Sequence, residues 1–245
     1  MSGGGSLVSG GLTLNNASSK LVLNSITVDN VSTSANSLGL DVDNNSTITS
    51  LSVANITPVS IASGSSLSGG ITVTAGSIKL AETGTLASSI SMSGGTLDAD
   101  NSLTVSGTLT QSGAITIDVA DNKTLTYSGT AISLGANTLT LSGGGSLVSG
   151  GLTLNNADSK LLLNSITVDN VSTSANSLGL DVDNNSTITA LSVANITPVS
   201  IAGSKILSGA ITVTGGSLKL NETGTLASTI AMSGGTLDSD ESLAV

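Results

Sequence analysis

Ser2-Gly-Gly-Gly-Ser-Leu-Val-Ser-Gly-Gly-Leu-Thr-Leu-Asn-Asn-Ala17 recurs without a change from Ser142 to Ala157. Carried outward from that stretch, Ser2–Val105 aligns without a gap on Ser142–Val245, with a period of 140 residues and 16 differences in 104 positions. Near-identity over such a length marks a recent duplication, so the chain reads as an excerpt of a longer array. Repeat 1 is placed at residues 2–141. A truncated repeat 2, expected to continue it, occupies 142–245.

A shorter period lies inside the long one. Ser-Gly-Gly or Ser-Gly-Ala occurs at Ser9, Ser68, Ser93, Ser112 and Ser149, with gaps of 59, 25, 19 and 37 residues. These gaps fit three coils, one, one and two, which makes seven coils of about 20 residues in each 140, a natural size for one turn of a parallel β-helix. The local pattern agrees. Leu12-Thr-Leu14, Leu21-Val-Leu23, Ile71-Thr-Val73, Leu103-Thr-Val105 and Ile115-Thr-Ile117 alternate with period two, which turns one face of a short strand inward and the other outward. Gly-Gly, Asn-Asn and Ser-Gly punctuate them, residues that tolerate tight and left-handed turns. Pro58 and Pro198 share one context, Asn-Ile-Thr-Pro-Val, and are expected at a corner.

Composition supports a narrow core. Phe, Trp, His, Cys and Arg are absent, and Tyr127 is the only aromatic residue. A large globular interior draws much of its buried area from rings, whereas stacked Leu, Ile, Val and Ala fill a slender coil that a ring would distort. Disorder is disfavoured, because the chain is 38% hydrophobic and only 9% charged. An antiparallel sandwich would share the frequent turn signals, yet it accounts for neither the long repeat nor the missing rings. The reading is an all-β, right-handed parallel β-solenoid of about 12 coils with about 20 residues in each.

Function classes narrow in the same way. A net charge of −10, with six lysines against sixteen acids, opposes nucleic acid and anionic membranes. No apolar run nears the roughly 20 residues of a membrane span, and Met1-Ser-Gly-Gly-Gly has none of the features of a signal peptide. Serine without an imidazole partner makes no Ser-His-Asp triad. Carboxylates without aromatic platforms or basic companions make a poor sugar-cleaving groove. No catalytic or cofactor-binding residue is assigned, and the chain is read as a non-enzyme.

The metal candidates are the D-x-D pairs. Asp41 and Asp43 recur as Asp181 and Asp183, and Asp98 and Asp100 recur as Asp238 and Asp240. In a strand both acids of such a pair point the same way, so both could meet one Ca²⁺. Against this, the glycine of an EF-hand loop and the Gly-Gly-x-Gly-x-Asp nonapeptide are both missing, and solvated acids that keep the chain soluble are the plainer reading. Thr-x-Thr pairs at Thr47, Thr72, Thr108, Thr124 and Thr138 suggest an ice-binding face, but spacings of 25, 36, 16 and 14 do not gather them on one side of a 20-residue coil. Asn-Asn at turns is expected to form amide ladders from coil to coil. Asn-x-Ser/Thr triplets, as at Asn16 and Asn122, are expected from composition alone.

The cadence Ser-Gly-Gly-x-Leu-x-x-x-x-x-Leu-x-Val, as in Ser93–Val105, resembles the repetitive parallel β-helix segments of bacterial autotransporter passengers and very large repetitive cell-surface proteins. The resemblance implies an extracellular, surface-exposed stalk or fibre that spaces, adheres to a surface or glycan target, or self-associates. End-to-end stacking through open coil edges is the partner interaction expected. A repetitive module binding Ca²⁺ or glycan through the D-x-D turns is the other reading.

Overall fold

The computed structural model describes residues 1–8 and 10–239. Every assigned element is a β-strand, and successive strands pair in parallel, one coil apart. Two compact units form, Met1–Thr130 and Ala131–Val245. Each is a parallel β-solenoid whose coils carry one short strand and one long one, the long one split in two in some coils, as at Leu103–Val105 and Leu109–Gln111.

In the first unit the short strands are Lys20–Leu23, Gly39–Val42, Ile56–Ile61, Ser77–Leu80, Thr96–Ala99 and Ile115–Val119. Their inward column runs Leu21, Leu40, Val59, Leu80, Ala99 and Val119, each opposite the next, and all six are buried. The steps between them are 19, 19, 21, 19 and 20 residues, so the coil length expected from the glycine anchors is the one observed. The second unit repeats the arrangement with Thr138–Ser142, Lys160–Asn164, Gly179–Val182, Ile196–Ile201, Ser217–Asn221 and Thr236–Ser239. That gives six short strands to each unit among the described residues.

The long strands turn a corner midway. In Ser46–Val53 the side chains of Ser46, Ile48, Leu51 and Val53 face inward, while Thr49 and Ser50 are both exposed. Two successive outward residues reverse the phase of alternation, and the register shifts there against the next coil. One long strand thus forms two sides of the coil and the short strand the third. The next coil takes the corner with one residue fewer, because Gly69 adopts φ +117°. A Cβ at Gly69 would overlap the carbonyl oxygen of Ile48 in the coil before.

Pro58 does not mark a corner. It lies inside strand Ile56–Ile61, opposite Lys79 of the following coil. Pairing with the preceding coil starts one residue later, at Leu40 and Val59. Proline has no N–H to give to that ladder, and Gly39, at φ +80°, leaves room for the Pro58 carbonyl where a Cβ would collide. Gly179 and Pro198 repeat the device.

Tyr127 also departs from expectation. The ring is inside, 3% exposed, and its hydroxyl accepts a hydrogen bond from the Leu109 amide at 2.9 Å. The single ring of the chain serves as core filler and as acceptor for a backbone donor.

Differences between the two copies respect this geometry. Of the sixteen positions, only Ser65, Ile78 and Ala99 are buried in the first copy. Ile78 to Leu218 conserves volume and leaves both side chains fully buried. The boldest change, Ser66 to Ile206, lands on an outward position, where Ile206 is 39% exposed.

Candidate functional site

The short-strand sheet carries most of the charged residues that lie within strands. Its outward positions lie between the buried Leu, Ile and Val of the column above, so pleat alternation sets Asp41 and Asp43, like Asp98 and Asp100, on one side. Strand register then brings lysines to them. Lys79 stands directly opposite Asp98, and its Nζ lies 2.6 Å from Asp98 Oδ2 and 3.5 Å from Asp100 Oδ2. Lys20 stands opposite Gly39, which offers no side chain, and reaches diagonally to Asp41 at 2.6 Å. Lys160 reaches Asp181 in the same way at 2.8 Å, and Lys219 approaches Asp238 at 3.7 Å.

The second acid of the Asp41/Asp43 and Asp181/Asp183 pairs has another setting. Asp43 and Asp183 are exposed just past their strands, and their amides donate to Leu23 and Leu163 of the preceding coil. Asp240 lies outside the described residues. Among the described residues no three acidic side chains come together to hold a metal ion. Ca²⁺ takes six to eight oxygen ligands, and here it would first have to displace an ammonium from the carboxylate that anchors each pair. Millimolar Ca²⁺ is therefore expected to leave the thermal midpoint within about 1 °C of its metal-free value, because a ligand that does not bind the fold cannot shift it. Melts with and without chelator check this.

Electrostatics sharpen the role of the Lys79 ladder. The hydrogen bond to Asp98 raises the Lys79 pKa above its ordinary value, against the opposing effect of burial. Burial raises the Asp98 pKa, only partly offset by Lys79, and Asp100 and Asp118 push it further up. Asp118 stands opposite Asp98 in the next coil. An acid whose pKa is higher folded than unfolded adds stability below the unfolded pKa, and that stability is lost as pH rises through the folded pKa. Asp98 is thus a modest liability at pH 7, softened by solvent screening. We expect Asp98→Asn to hold or raise the pH 7 midpoint and Lys79→Met to lower it. The advantage of Asp98→Asn should shrink as pH falls through the raised Asp98 pKa toward the ordinary value of 3.8 and change no further below it, which melts across pH report.

Amides and hydroxyls bind the coils elsewhere. Asn44 Nδ2 donates to Asn24 Oδ1 at 2.9 Å, and Asn184 repeats the bond with Asn164 at 2.6 Å. The amide ladder is thus one rung in each copy among the described residues. The next Asn, Asn45, caps the Ser66 amide at 2.9 Å. No protein-family model matches the chain, and neither a curated protein nor a solved structure matches it.

Proposed function

We propose that the chain is a structural module of an extracellular repeat protein, a stalk or fibre segment that gives length to a surface and presents its faces to targets there. One observation carries the reading. Each coil is held to the next by the same devices at a shift of about 20 residues, parallel backbone pairing and a buried aliphatic column, to which some coils add Lys–Asp or Asn–Asn rungs. Stability of that kind adds up along an array and lets length grow by duplication without a new core. The 140-residue repeat is the trace of such growth.

Association through coil edges belongs to the same proposal. Lys20–Leu23 pairs along its length with Gly39–Val42, and on its other side the Val22 carbonyl accepts from the Met1 ammonium at 2.7 Å. Its counterpart in the second copy, Lys160–Asn164, pairs on both sides, with Thr138–Ser142 and Gly179–Val182. A strand of this sequence therefore accepts a coil on that edge, and a further repeat is the natural occupant.

A load-carrying solenoid should yield coil by coil. Stretched between its ends by force microscopy, the chain is expected to lengthen in regular steps of about 65 Å, roughly 20 extended residues less one strand spacing. Extension without force peaks would remove the mechanical role.

A further inference from the structure

The outer side of the second half of the long strands carries different chemistry from the charged sheet. In the first unit Thr13, Ser32, Ser52, Thr72, Ser91 and Thr110 stand opposite one another in successive coils. Five of the six are exposed and Ser32 is half-buried. The rank extends about 24 Å along the coil axis at the spacing of paired strands. Beside it runs a second rank, Asn30, Ser50, Gly70 and Ser89. The rank mixes Ser with Thr, and the Thr-x-Thr motifs meet it only at Thr72 and Thr110.

A shallow groove opens where the two ranks meet the Gly10–Gly11 turn. Its volume is about 330 Å³, and Thr13, Asn30, Ser32, Ser50 and Ser52 supply its polar groups. The second unit has the counterpart at Gly150–Gly151, about 370 Å³, with Thr153, Asn170, Ser172, Ser192 and Thr212. Neither groove is lined by a charged residue. Both volumes fall in the range of small-ligand sites.

This lining selects its ligand class. A cation would want carboxylates and an anion would want lysines, and neither is present in the groove. Hydroxyls and a carboxamide each donate and accept, so they match a partner whose groups do the same. Glycine, Val31 and Leu12 add apolar floor for C–H faces. The repeat of such groups along the axis suits an extended chain rather than a compact molecule. We propose that this face binds a neutral glycan laid along the coil axis, seated in the groove, at a site separate from the D-x-D acids. The first unit is the stronger binder, because Ser50 and Ser91 become Ala190 and Ala231 in the second.

The whole chain titrated with cellohexaose, xylohexaose, mannohexaose and chitohexaose tests this. At least one should shift the amide resonances of Thr13, Ser32 and Ser52, and anionic polygalacturonate should shift none. Ser52→Lys combined with Ser192→Lys should weaken that binding about tenfold or more and leave the circular dichroism melt in place, since both side chains point to solvent. Asp41→Asn combined with Asp181→Asn should leave it unchanged. The proposal falls if no hexasaccharide binds at millimolar concentration, if binding survives the lysines, or if it is lost with the aspartates. It also falls if the lysines change the sedimentation of the free protein, which would make the face a contact between copies.

Discussion

Gly69→Ala is expected to destabilise the first unit by about 3 kcal/mol or more, because positive φ and steric overlap both oppose the new methyl. At φ +117° a non-glycine residue is strained, and the methyl would collide with the Ile48 carbonyl, part of the ladder that binds the two coils. Neither strand can yield without breaking the pairing on its other side, since Ser66–Val73 is also bonded to Thr85–Met92. The thermal midpoint should fall by roughly 10 °C for a unit of this size. The neighbouring residue is the control. A Cβ at Gly70 would lie 3.3 Å from the Thr49 carbonyl at ordinary φ, and the second copy already carries alanine there, at Ala210. Gly70→Ala should therefore move the midpoint by no more than a few degrees. Equal effects at the two sites would show that the corner is not closed as described.

The second large effect is expected at Tyr127. Tyr127→Phe keeps the ring and removes the acceptor of the Leu109 amide, and leaving a buried donor unmatched costs about 1–3 kcal/mol. Tyr127→Ala also empties the space of the largest side chain in the core, for about 3–5 kcal/mol. In a stack of nearest-neighbour contacts the damage should stay local. Hydrogen exchange is the discriminating readout. The Leu109 amide should lose protection in Tyr127→Phe, while Leu40 and Val42, several coils away, should keep theirs. Unchanged protection at Leu109 would deny the phenol its role.

The coil length was legible in the sequence because inward Leu, Ile and Val alternate regularly and glycine punctuates them at near-multiples of 20. What joins one coil to the next was not, since it depends on register. Coil length wanders between 19 and 22 residues, and a one-residue slip exchanges the faces of a strand. Asp98 therefore reads as half of a metal pair in the sequence, where nothing sets Lys79 opposite it. The hydroxyl rank was missed for a related reason: Ser52 and Thr72 align in space, while Thr47/Thr49 and Thr72/Thr74, matched by motif, do not share a column. Pro58 broke a general rule locally, because Gly39 beneath it removes the clash and pairing starts after it. Tyr127 had no signature at all. Nothing in Leu-Thr-Tyr-Ser says that a hydroxyl will meet an amide eighteen residues earlier.

Cross-linking of cysteine pairs tests the stacking most directly, in a chain that has no cysteine of its own. Ser32→Cys with Ser52→Cys, and Ser52→Cys with Thr72→Cys, place thiols on register partners one coil apart, within the span a disulfide bridges. Both pairs should oxidise readily within single molecules, and Ser32→Cys with Thr72→Cys, two coils apart, should not. Cross-links that instead join residues whose numbers have a constant sum, as across an antiparallel hairpin, would contradict the wound, parallel architecture.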